Sequence, residues 1–212
     1  MREKAPLHHR VYFELKSRLV EGAFSAGEHL DLRLLAETLK VSTTPVRAAL
    51  QYLAAERLLE NGNGEGFVVP LTREGELHDL YDWMEMLLVD AVRRVQVHPP
   101  PDALFLNVPP DQHDVVHGTR RLFQAIADTA GQREISLAVS NANDRLHRIR
   151  VAKGAMIEQS DVEFANLVSL WGEREFKRLA HDLTAYHERR KGLVRYIVQQ
   201  ANGASGNASP VT

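Results

Sequence analysis

From Leu7 to Val20 the apolar residues Leu7, Val11, Tyr12, Leu15 and Leu19 recur at three- and four-residue steps, the stripe of a helix with one buried face. The Glu21–Gly27 segment, with two glycines, breaks it. Asp31 then suits an N-cap for a short second helix that carries Leu34, Leu35 and Leu39 on its inner side. Val41-Ser42 separates it from a third. Ser42 is placed to cap this third helix, and Pro45 falls in its first turn, where a missing N–H costs nothing. Val46, Ala49, Leu50 and Leu53 face inward. After Leu58-Leu59-Glu60 come Asn61-Gly62-Asn63-Gly64-Glu65-Gly66 and Phe67-Val68-Val69, two short β-prone runs around an Asn-Gly turn, which predict a hairpin.

Beyond Pro70 the patterning becomes helical throughout. Leu77, Leu80, Tyr81, Met84, Leu87, Leu88, Ala91, Val92 and Val95 form one long stripe, and the proline-rich run from Val97 to Gln112 predicts an irregular crossing. Helices are predicted around Leu122–Ala127 and Ile135–Ile149. Two more are marked by Val162, Leu167, Val168 and Trp171, and by a long stretch from Phe176 to Ile197 with Gly192 as a weak point. Ala201–Thr212 is Gly, Ser, Ala and Asn with one Pro, and is expected to be a disordered tail. The expected fold is therefore mainly α. A winged helix-turn-helix, three helices plus a β-hairpin wing, occupies residues 1–73, and an all-helical bundle occupies 74–200.

The chain has 212 residues, 44% of them apolar and 25% charged, enough for two cores. No apolar run is long enough to cross a membrane, and Met1–Arg10 carries charges and a His pair where a signal peptide needs an apolar stretch, so a cytoplasmic location without a membrane partner is expected. The absence of cysteine excludes disulfides, thiolate metal sites and thiol nucleophiles. A net charge of −2, with the first 75 residues nearly balanced, gives no global sign of a polyanion partner. Binding would then depend on where the cations lie on the folded surface.

The run from Leu34 to Leu53, with Val41-Ser42-Thr43-Thr44-Pro45-Val46-Arg47-Ala48-Ala49-Leu50 at its centre and a glycine-rich wing and Val-x-x-Pro after it, resembles the GntR family of bacterial regulators. The all-helical remainder resembles that family's FadR branch, whose second domain is a ligand-binding bundle of the FCD type. The resemblance implies a transcriptional regulator, in most relatives a repressor, that binds an inverted-repeat operator in double-stranded DNA as a homodimer and answers to a small-molecule effector. It is not expected to be an enzyme. On this reading Ser42, Thr43 and Thr44 donate to phosphates, and Arg47, one turn on, reaches a guanine edge. Arg33 matches a position where the family sets a basic residue on the DNA, and Asn63 and Gly64 match the wing tip that reaches the minor groove. Thr43 stands where relatives carry Arg, a short hydroxyl in place of a bidentate donor.

The FCD bundle of relatives often holds a divalent metal through one Asp and three His. Here Arg120 and Gln124 take the places of the Asp and the first His, Phe164 or Ala165 that of the second, and only His187 remains, so neither metal nor other cofactor is expected. His113 and His117, at i and i+4, lack the Glu of a metalloprotease motif. An effector pocket would draw on Arg120, Asn141, Arg145, Arg148 and His187, with a guanidinium to pair with an anionic effector. The alternative for Arg120 is a solvated pair with Asp144 or Glu134. Rival functions are a winged-helix protein-interaction module without DNA binding, and a metal-dependent hydrolase.

Overall fold

A computed structural model describes residues 6–62, 66–106, 108, 114–153 and 157–203. The chain divides into two compact units, Met1–Thr72 with the residues from Gln199 onward, and Arg73–Val198.

In the first unit, α1 (Leu7–Val20), α2 (Leu32–Leu39) and α3 (Thr43–Ala55) pack together, α3 against both of the others. Val11, Leu15 and Leu19 of α1 meet Val46, Leu50 and Leu53 of α3 in a core that also takes Leu35, Leu58, Leu59, Phe67 and Val69. Asp31 caps α2 as its residue type predicts, accepting from the Arg33 and Leu34 N–H groups, and those bonds hold its carboxyl below the usual carboxylate range. The inner face of α2 is not the one expected. Leu35 and Ala36 are buried, while Leu34 is 62% exposed. Leu7 likewise lies half exposed at the start of α1.

Lys40 ends α2 in the left-handed region (φ 54°), and Val41 N–H donates back to the Ala36 carbonyl at 3.0 Å, the tight turn that aims α3. Strands β2 (Glu60–Asn61) and β3 (Phe67–Val68) form the wing hairpin. A further strand that the sequence reading omitted, β1 (His29–Leu30), pairs with the other edge of β3 to give the antiparallel order β1-β3-β2. Its two residues are too few to carry an alternating pattern.

The second unit is helical. α4 (Glu74–Val97) packs against α5 (Val115–Thr129), α6 (Arg133–Lys153) and α8 (Phe176–Lys191), and α7 (Ser160–Gly172) packs against α5 and α8. All nine stripe residues from Leu77 to Val95 are buried. Among the described residues of the proline-rich crossing, Asp102–Leu104 makes one 3-10 turn, Phe105 stacks on Trp171 at 4.5 Å, and the Trp171 indole N–H donates to the Leu106 carbonyl at 2.8 Å. In α7, Phe164 takes the inner place expected of Val162, which is 63% exposed.

Two expectations at the C-terminus are corrected. The single long last helix is two, α8 and α9 (Val194–Gly203), parted at Gly192 and Leu193, where Leu193 N–H donates to the Arg190 carbonyl. Ala201–Gly203, expected as the start of a disordered tail, is the last turn of α9, and residues 204–212 lie outside the described residues. Among the described residues no helix is long and apolar enough to cross a membrane.

Candidate functional site

Burial of Val46, Ala49, Leu50 and Leu53 on one side of α3 turns Ser42, Thr43, Thr44 and Arg47 outward, and all four are exposed. Ser42 occupies the N-cap with extended backbone, but its hydroxyl makes no capping bond, contrary to expectation. The first-turn N–H groups of α3 and three short hydroxyls therefore face the same side, the arrangement that accepts phosphate oxygens. Arg33 is exposed near the start of α2, its backbone N–H fixed by Asp31 at 2.7 Å. Asn63 and Gly64 lie outside the described residues; Gly62 N–H donates to the Gly66 carbonyl at 3.0 Å on either side of them.

The balanced charge of this unit resolves into sorted charges. Glu56 is taken by Lys16 at 2.8 Å and by the Tyr12 hydroxyl, Glu14 by Arg18 at 2.8 Å, Glu28 by the Ser25 N–H, and Asp31 by its cap. Among the described residues no ion pair engages Arg33, Lys40 or Arg47. Two exposed residues escaped the sequence reading. Lys40 sits in the turn before α3, and Gln51 lies one helical turn beyond Arg47 on the same outer stripe, where a carboxamide suits an adenine edge. The i+4 step from Arg47 was the available signal for Gln51.

In the helical unit the predicted effector residues divide. His187 is fully buried. Its Nδ1–H donates to the Leu183 carbonyl at 2.7 Å, leaving Nε2 as an acceptor with no hydrogen-bond partner, and burial pushes the imidazole pKa down to about 3. Arg120 donates to Asp144, whose side chain is only 2% exposed, so the guanidinium neutralises a buried carboxylate. That is the alternative partner expected from the sequence, although the pair is not a solvated one. Asn141, Arg145 and Arg148 lie half-buried on α6, and the polar residues that α6 fully buries are Asn143, Asp144, His147 and Arg150.

Asn143 links two of these neighbours. Its Nδ2 donates to the Arg120 carbonyl at 3.0 Å and its Oδ1 accepts from Arg150 at 3.1 Å. Arg150 lies 5.4 Å from the centre of the Phe123 ring, and His187 stacks against the same ring at 5.8 Å. Arg190 sits over Tyr186 at 3.2 Å and pairs with Glu163 at 2.7 Å. Burial works against its charge, but Tyr186 and the Glu163 carboxylate outweigh it and raise its pKa. Burial also pushes the Tyr81 phenol up.

The divalent metal implied by the FCD resemblance does not fit the residues present. Arg120 is bound to Asp144, Gln124 donates to Asp128 at 2.8 Å, and Phe164 packs its ring against Gly118. Of the four positions that would hold it, only that of His187 keeps an imidazole, too few to hold a cation. Of the histidine pair at i and i+4, His113 lies outside the described residues, and His117 Nδ1 is 2.8 Å from Asp114, the residue that caps α5. Gly118 lies within α5 where Phe164 crosses it.

Comparison with known proteins agrees with this geometry. The family model described as bacterial regulatory proteins, gntR family, matches residues 7–69, which contain every element from α1 to β3. The gluconate operon transcriptional repressor of Bacillus subtilis (strain 168) is 30% identical over 98 residues, 45% of this chain and 40% of that protein. The HTH-type transcriptional repressor GlaR of Escherichia coli (strain K12) is 37% identical over 81 residues, 37% of each. The matches thus span about 40% of the length of these curated relatives. Among solved structures, E. coli McbR/YncC superimposes with a TM-score of 0.71 at 19% identity, covering 91% of this chain and 98% of that one. A putative transcriptional regulator GntR from Rhodococcus sp. RHA1 gives 0.71 at 19% identity over 89% and 97%. These two establish the fold over nearly the whole length. The winged helix-turn-helix head, residues 7–69, is therefore similar to the gntR family of bacterial regulatory proteins.

Proposed function

We propose that this protein is a DNA-binding transcriptional regulator, in its commonest form a repressor, that reads an inverted-repeat operator as a homodimer. The observation that carries the proposal is the outward stripe of Ser42, Thr43, Thr44, Arg47 and Gln51 on α3, flanked by Arg33 and Lys40, on a unit whose acidic residues are largely tied to other partners. Hydroxyls and helix N–H groups fix the register on phosphates, and Arg47 and Gln51 read base edges. Asn63 and Gly64 at the wing tip reach the minor groove in this reading. A two-fold dimer presents two such helices to successive major grooves, which is why the operator has inverted symmetry. A small anionic effector bound in the helical unit changes operator affinity by a coupling free energy.

Fluorescence titration of the full chain against the DNA upstream of its own gene and against random duplex tests the reading. Saturable, sequence-preferring binding is expected, with a log–log salt slope of about −0.9 per neutralised phosphate. Equal affinity for both duplexes, or no binding at low salt to any fragment of a genomic pull-down, would favour a protein-interaction module instead.

A further inference from the structure

Helix α4 buries one side in the bundle and leaves an apolar stripe on the other. Its outer side runs Asp79, Trp83, Met86, Asp90, Arg93 and Val97, alternating steps of four and three residues, which is the spacing of a seam between two paired helices. Trp83, Met86 and Val97 are 44%, 55% and 67% exposed, while Met84, Leu88 and Ala91 on the opposite side are fully buried. Tryptophan and methionine are residue types that collect at the centres of interfaces, and here they stand side by side on the surface.

The charges along the same helix decide what fits over this stripe. Its first half carries Glu74, Glu76, Asp79 and Asp82, and its end carries Arg93 and Arg94, followed by His98. A second α4 laid parallel would set Asp79 against Asp79 and Arg93 against Arg93. Laid antiparallel about a two-fold axis at the level of Leu88, it sets Asp82 of one copy against Arg94 of the other, Trp83 against Arg93, and Met86 against Asp90. The helix dipoles then oppose as well, and every contact occurs twice. Asp82 pairs with Lys191 and Arg94 with Asp90 in their own chain, yet their side chains remain 50% and 42% exposed, so each can accept a further partner. Arg93 is exposed, and among the described residues no ion pair engages it, which leaves its guanidinium for the face of an indole. A foreign partner would have to supply this acid-to-base order in reverse; a second copy of the chain already has it.

We propose that the outer stripe of α4 is the surface through which two copies of this protein associate, their α4 helices antiparallel and centred at the level of Leu88, with Trp83 of each copy covered by Arg93 of the other. The inference deepens the homodimer of the regulator reading by naming its surface and its direction. It rests on that reading only for the symmetry of the operator; the association itself stands apart from DNA.

The natural chain has no cysteine, so introduced ones report the register directly. Residues 83 and 93 lie about 15 Å apart along one helix, too far for a disulfide within a chain, but opposite each other in the antiparallel pair. Full-length chain carrying both Trp83→Cys and Arg93→Cys should therefore form covalent dimers under mild oxidation, read on a non-reducing gel. Either single variant, with its two cysteines about 15 Å apart across the axis, should run as a monomer. Sedimentation equilibrium of the natural chain without DNA should show a dimer at micromolar concentration, and Trp83→Ala and Arg93→Glu should each raise its dissociation constant about tenfold or more. Both side chains are exposed, so the variants should keep the circular dichroism of the natural chain, and weaker association is not loss of fold. Cross-linking of either single variant, no cross-link in the double variant, a monomeric natural chain or unchanged dissociation constants would each overturn the proposal. Operator titrations on the same preparations separate the two readings: a dimer of this register that binds no DNA defeats the regulator alone, and DNA binding by a chain that dimerises elsewhere defeats only this surface.

Discussion

The carboxamide of Asn202 holds the backbone of Thr72 at two points, its Nδ2 donating to the Thr72 carbonyl at 2.9 Å and its Oδ1 accepting from the Thr72 N–H at 3.0 Å. The pairing imitates one rung of a β ladder, supplied by a side chain 130 residues away at the end of α9. Thr72 is the last residue of the head before the helical unit begins, so the clamp fixes the end of the head's own chain. Asn202→Ala leaves both backbone groups to water. At a net ~0.5–1.5 kcal/mol per bond, protection of the Thr72 amide should fall by about tenfold to a hundredfold in native-state hydrogen exchange. Ending the chain after Gln200 should do the same, and unchanged protection in both would mean that the contact does not persist in solution.

On α3, Arg47 and Gln51 are one helical turn apart and both exposed, and they make separable predictions. Arg47→Ala should cost ~1–3 kcal/mol on the preferred operator and much less on random duplex, because a bidentate guanidinium contact discriminates between bases. Gln51→Ala should relax preference at a neighbouring base pair by a similar amount. Lys40→Ala, by contrast, should weaken both duplexes alike and reduce the salt slope by about one phosphate. Competition titrations with single-base operator variants measure all three.

What was legible in the sequence was local chemistry and long periodicity. Asp31 could be named as a cap because an Asp before an apolar run has one good use there, and the stripe from Leu77 to Val95 fixed its own phase over more than five turns. Phase was lost where the helix is short or polar on both sides. α2 has eight residues, and a one-residue rotation exchanges Leu34 for Leu35 and Ala36. On α6 the aliphatic residues Val139, Ala142, Leu146 and Ile149 are buried, and polar residues flank them on either side. The expected effector residues Asn141, Arg145 and Arg148 each stand one place before a stripe residue. The structure buries Asn143, His147 and Arg150, each one place after, and no single-helix pattern says on which side the neighbouring helices lie. The Arg120–Asp144 pair was visible as a pair but not as a buried one, since burial of Asp144 depends on the meeting of α5 and α6.

Gly118 exists for Phe164. A Cβ at residue 118 would stand 2.8 Å from the ring carbon Cε1 and closer still to Cζ, and the ring, 2% exposed, has little room to retreat. Gly118→Ala would ordinarily gain about 1 kcal/mol in a helix interior. Here the overpacking should dominate, for a net loss of about 1–3 kcal/mol. Thermal unfolding should show the lower midpoint, and Gly118→Ala combined with Phe164→Leu should recover part of it. A higher midpoint for the single variant would mean that α5 and α7 separate without cost.

Acid should destabilise the helical unit well before its carboxylates titrate. Burial, helped by the nearby Arg190 and Arg150 charges and only partly opposed by the Leu183 hydrogen bond, pushes the His187 pKa from 6.5 to about 3. Between those values the unfolded chain takes up a proton that the folded chain refuses, so the unfolded state gains stability as pH falls. Above 6.5 neither state is charged at this group and the contribution is flat. Each pH unit inside the window is worth at most ~1.4 kcal/mol, so moving from pH 7 to pH 5 should remove about 2 kcal/mol. Asp82 and Asp114, held below the usual carboxylate range in the folded state, do not contribute until pH falls further. Urea unfolding followed by the fluorescence of Trp83 and Trp171, both in this unit, reads the effect. His187→Phe should flatten the profile between pH 7 and pH 5, and a profile that keeps its slope in that variant would place the responsible proton on another group.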